Sequence, residues 1–88
     1  MFMKRIEDDP RISTAHISIY VSLWKLWIEK GDQKPLSFFG HEIRGMCKVS
    51  GYATYHKRIR ELHDYRYIIY TPSYNHLKGS KVTFIELE

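Results

Sequence analysis

Residues 13 to 31 read STAHISIYVSLWKLWIEKG, and this stretch constrains the fold more than any other. Ser13 suits an N-cap, Gly31 suits a C-terminal stop, and no proline intervenes, so the spacing predicts a helix. At about 100° per residue, Ile17, Tyr20, Val21, Trp24, Trp27 and Ile28 share one face. Ile19, Leu23 and Leu26 widen it to an arc of roughly 220°, about twice what a one-sided surface helix needs. Ser18, Ser22, Lys25 and Glu29 are left as the polar stripe. Such a helix is either central to its domain or shared with a second copy. The face holding Trp24 and Trp27 is assigned to the core. The flank of Ile19, Leu23 and Leu26 is covered either by the N-terminal arm or C-terminal strand, or by a homodimer partner, and the dimer is the expectation. His16 falls inside the apolar arc and is read as a hydrogen-bonded packing residue.

The remainder of the chain must fit around that helix in 88 residues, which is one small domain. Two Trp, seven Tyr and four Phe supply much of its core. Residues 1–12 read as an arm of mixed charge stopped by Pro10, with Asp8 and Asp9 solvated, and residues 13–88 as the folded domain. LSF, after Pro35, is long enough only for a short strand. HEIRGMCKV predicts a short helix in which Gly45 is costly unless another backbone passes close. VSGYATYHKRIRELHDY predicts a further helix, capped by Ser50. Tyr55, Ile59 and Leu62 form its buried face, and Tyr52, Ala53, His56, Lys57 and Arg60 lie on the opposite one. YRYIIYT and SKVTFIELE alternate as half-buried strands should. The expected class is therefore α+β. It comprises three helices, a short first strand and a C-terminal hairpin, which is a helix-turn-helix followed by a wing.

Charge is placed unevenly on this framework. Residues 41–81 carry eight Lys or Arg against three Asp or Glu, whereas the rest of the chain carries six against seven. The excess positive charge thus lies on the second and third helices and the hairpin, as a polyanionic partner would require. In this arrangement the helix at about 50–65 enters the major groove of double-stranded DNA, and the loop at 72–81 meets phosphates or the minor groove. Lys78 and Lys81 suit phosphate contact, and Gly79 would let backbone N–H groups approach it.

The segments ATYHK with a following I-x-E-L, PSYN with KGSKV, and AHISIY span most of residues 14–85. In them the chain resembles bacterial winged helix-turn-helix regulators, in particular short DNA-binding proteins of mobile elements. Carried over by position, the resemblance implies that Ala53, Thr54, His56, Lys57 and Arg60 face DNA, with Tyr52 beside them. It also implies that Tyr74, Asn75, Lys78, Ser80 and Lys81 form or support the wing. Two positions depart from the pattern. Arg66 stands where such domains place glycine, which argues for a different closure of that turn because a left-handed Arg costs more than Gly. Phe39 stands where Ser, Thr or Asp usually caps the second helix.

Five histidines and one cysteine raise the question of a metal, but no C-x-x-C or H-x-x-x-H spacing is present, and neither a metal nor a cofactor is expected. Cys47 reads as a small buried side chain. Tyr65 and Tyr67 read as packing residues rather than stacking platforms. No nucleophile has an evident base, so an enzyme is not expected. With no secretory leader or membrane span in the pattern and a lone cysteine, the expectation is a cytoplasmic protein. The expected role is sequence-specific DNA binding in transcriptional regulation. The alternatives are an accessory or replication-initiation factor of a mobile element, and a protein-interaction domain without nucleic acid.

Overall fold

The computed structural model describes residues 2–32, 34–49, 51–73 and 79–85. In chain order these form α1 (Phe2–Ile6), α2 (Thr14–Glu29), β1 (Leu36–Phe38), α3 (Gly40–Cys47), α4 (Tyr52–Asp64), β2 (Ile68–Thr71) and β3 (Ser80–Phe84). The architecture is α+β, with four helices among the described residues and an antiparallel sheet ordered β1-β3-β2. Leu36 pairs with Val82 and Phe38 with Ser80, while Ile68 pairs with Phe84 and Thr71 with Lys81. The sheet's inner face adds Leu36, Phe38, Ile68, Tyr70 and Val82 to a core completed by α2, α3 and α4.

α2 begins as the sequence predicts. Ser13 is extended, its N–H donates to His16 Nδ1 at 2.8 Å, and its hydroxyl lies 2.9 Å from the same atom. His16 thus takes the place that Glu or Gln holds in a capping box. Because Nδ1 accepts, Nε2 carries the proton and donates to Glu61 Oε1 at 3.0 Å, tying α2 to α4. At the other end Gly31 adopts φ 75°, and Asp32 N–H returns to Trp27 O.

The packing of α2 corrects part of the expected assignment: Tyr20 is buried and Ile17 and Trp27 pack against the core as expected, but the rest of that face is not covered. Ile19 and Leu23 are fully buried and Leu26 nearly so, whereas Val21, Trp24 and Ile28 are 52, 42 and 54% exposed. Ile19, Leu23 and Leu26 are therefore intramolecular core and cannot form a seam with a second copy. The reason is tertiary. α2 lies against both α3 and α4, and Tyr20 and Trp27 pack edgewise on Phe84 of β3. A helical wheel gives the width of an apolar arc but not which part of it is covered. The polar stripe is corrected too: Ser22 is buried with its hydroxyl donating to Ser18 O at 2.8 Å, and Ser18 Oγ donates to Cys47 O.

Residues 2–12 also differ from the solvated arm expected. α1 and the following turn dock on the α4–β2 junction. Asp9 accepts hydrogen bonds from Arg11 and from the Tyr67 hydroxyl, the latter at 2.6 Å, so it is not a solvated charge. Arg5 lies 4.0 Å over the Tyr67 ring, and its guanidinium donates to the Arg66 carbonyl. Arg66 does take the left-handed conformation, at φ 66°, and Tyr67 N–H closes the turn onto Leu62 O. Gly51 rather than Ser50 precedes α4, at φ 88°, and Ser50 lies outside the described residues. Phe39 stands at the α3 cap, where its N–H donates to Glu42 Oε1 at 2.9 Å. The remaining apolar expectations hold: Tyr55, Ile59, Leu62, Cys47 and Tyr67 are all buried.

Candidate nucleic-acid interface

Burying Tyr55, Ile59 and Leu62 fixes the rotation of α4 and thereby chooses which side chains face outward. Tyr52, Ala53, Thr54, Lys57 and Arg60 are exposed, and His56 is half-buried. All six predicted residues of this helix are therefore brought to one outward region. Tyr52 is 63% exposed, and its ring meets His56 edgewise at 4.2 Å. Arg44 of α3 lies 5.0 Å over the other ring of this group, that of Tyr52. Burial lowers the pKa of His56, and the neighbouring Arg60 and Arg44 charges lower it further. That effect of two guanidiniums records a local positive field.

Two acidic groups beside this field are engaged elsewhere. Glu61, one turn from Lys57, faces the α2 seam, where it meets Arg58 at 2.6 Å and His16. Burial opposes its ionisation, but the hydrogen bonds from Arg58 and His16 hold its carboxyl below its ordinary value. Glu42 is similarly occupied by the Phe39 N–H and by Lys30. Asp64, the last residue of α4, is exposed one turn beyond Arg60 and is the acid this face retains, at its far end from Tyr52. Arg58, although part of the basic excess in sequence, is committed to Glu61 and so contributes less to the open surface.

Arg44 is the contributor that sequence reasoning counted only as charge. Eight positions separate it from Tyr52, and only the packing of α3 against α4 brings them together. Lys48 is a second, exposed and left-handed at φ 59°, in the connection between the two helices.

The predicted hairpin residues are divided. Tyr74, Asn75 and Lys78 lie outside the described residues. Ser80 is half-buried and accepts a hydrogen bond from Ser73 N–H at 3.3 Å, closing the base of the loop. Lys81 is exposed, but it belongs to β3 rather than to the loop, opposite Thr71 and Ser37. Gly79 also has a structural reason within the fold. A Cβ there would stand 2.5 Å from the Phe38 carbonyl oxygen, so the missing side chain is what lets β1 approach.

No protein-family model, curated protein or solved structure matches this chain. Among the described residues no helix is long and apolar enough to cross a membrane.

Proposed function

We propose that this is a winged-helix protein that binds double-stranded DNA in a sequence-specific manner, most simply as a transcriptional regulator. α3 and α4 form the helix-turn-helix, and the β2–β3 hairpin is the wing. The observation that carries this reading is the outward face of α4. Tyr52, Lys57 and Arg60 stand on it with Arg44 alongside, and the nearby acids Glu61 and Glu42 are turned to other partners. A major groove admits one α-helix, and Arg or Lys is the usual reader of guanine edges. The Tyr52 ring and the Ala53 and Thr54 side chains offer apolar contact to thymine methyl groups. The preceding helix α3 would cross the backbone, where Arg44 meets phosphate.

Equilibrium titration against duplex DNA tests this. Lys57→Ala and Arg60→Ala should each weaken binding to a preferred site by about 1–3 kcal/mol and relax preference at one base pair. Both side chains are exposed, so thermal stability should hold. If both variants keep wild-type affinity and preference, α4 is not the reading element.

A further inference from the structure

α3 inverts the usual placement of glycine in a helix. Gly45 stands in its interior, where glycine is the least favourable residue after proline. Lys48 ends the helix in the left-handed conformation, at φ 59° and ψ 20°, where glycine is the usual residue because it carries no Cβ. Exchanging the two residue types would suit the helix better at both positions. Packing does not call for the glycine either, since a Cβ at Gly45 would meet no atom of the described residues within 4 Å.

Both departures fall on the exposed side of α3. At about 100° per residue, Gly45 lies about 160° from each of the buried residues Ile43 and Cys47, so it is the outermost point of the helix. Arg44 and Lys48 are exposed beside it, four residues apart and therefore neighbours on the helix surface. Arg44 is held over the Tyr52 ring at 5.0 Å, and Glu42, the one acid of α3, is occupied by the Phe39 N–H and Lys30. α3 thus presents bare backbone at its summit with two cations alongside.

We propose that the sugar–phosphate backbone of duplex DNA lies directly against α3 at Gly45, with Arg44 and Lys48 on its phosphates. This rests on the reading of α4 as the helix that enters the major groove, and it names the point at which the preceding helix meets the same duplex. A side chain at position 45 would stand between the strand and both cations. Lysine at 48 supplies a charge where glycine would leave none. Close approach of a polyanion accounts for both departures together, whereas the fold by itself favours neither. Gly45 is a positioning residue, which sets how near α3 comes to the strand.

Urea unfolding and duplex titration across a range of salt test the proposal. Gly45→Ala should unfold no more easily than the wild type, yet bind every duplex more weakly. Its slope of log K against log salt should also become shallower, although the substitution removes no charge. Lys48→Gly should bind all duplexes more weakly and lose about 0.9 from that slope, the value of one phosphate contact. A Gly45→Ala variant with wild-type affinity and slope overturns the proposal. So does one that unfolds more readily, because the glycine would then serve the fold, or a Lys48→Gly variant whose slope is unchanged. Lys57→Ala and Arg60→Ala in the same titration separate this from the DNA reading. If they weaken site binding and Gly45→Ala does not, only the approach at Gly45 is wrong. If the wild type binds no duplex, both fail.

Discussion

At Asp9, parts of the chain 58 residues apart are joined by one carboxylate. Oδ1 accepts from the Arg11 backbone N–H and Nε, and Oδ2 accepts from Arg11 Nη2 and the Tyr67 hydroxyl. The Arg11 hydrogen bond, then that from Tyr67, holds the Asp9 carboxyl well below the usual carboxylate range. A folded-state pKa below the unfolded one means stability that is present above the unfolded value and is lost as pH falls toward the folded one. Tyr67 acts at the other end of the scale. Burial and then the bond to Asp9 push its hydroxyl up to about 12, so its contribution is complete below pH 10 and is lost as pH rises toward 12. Asp9→Asn should therefore lower the thermal midpoint at neutral pH and flatten its decline below about pH 4. Midpoints measured across pH for both proteins check this, and parallel curves would mean that Asp9 is as solvated as its sequence context suggests.

Among the elements, β1 and β3 depend on a backbone contact that no side-chain pattern announces. Gly79→Ala should destabilise the protein by about 1–3 kcal/mol, since its Cβ would meet backbone rather than a movable side chain. Urea unfolding would show it, and an unaffected midpoint would mean that the β1–β3 approach is loose. Gly45, by contrast, has open space around it, so no protein backbone explains the glycine in α3. These two glycines mark where reading the sequence succeeds and stops. The helix of residues 13–31 was legible because Ser13, Gly31 and the apolar arc agree, and α4 because Tyr55, Ile59 and Leu62 recur at helical spacing. β2 and β3 were legible from alternation, and the outward residues of α4 followed from its buried ones. What sequence could not supply is what tertiary contact decides. The covered side of α2 depends on where α3 and α4 lie. The Asp9 contact joins distant segments, and Arg44 comes beside Tyr52 only when two helices pack.

On the scale of the whole molecule, the fold separates surfaces by chemistry. α2 gives one side to the core and leaves an apolar seam outside. α4 gives Tyr55, Ile59 and Leu62 to the core and leaves a basic aromatic face outside. Glu61 and Glu42, which border that face, are held by Arg58, His16 and Lys30. A phosphate-contacting role for Arg44 sets it apart from Lys57 and Arg60. Arg44→Ala should weaken binding to all duplexes alike, and the dependence of log K on log salt should become shallower by about 0.9. An unchanged slope would place Arg44 off the backbone. The most direct measurement of the central claim is selection of bound duplexes from a random pool at near-physiological salt. The account predicts an enriched sequence, and a palindromic one if two copies bind together. Recovery of the pool unenriched, with no retention above a protein lacking the basic face (Lys57→Ala with Arg60→Ala), would contradict it.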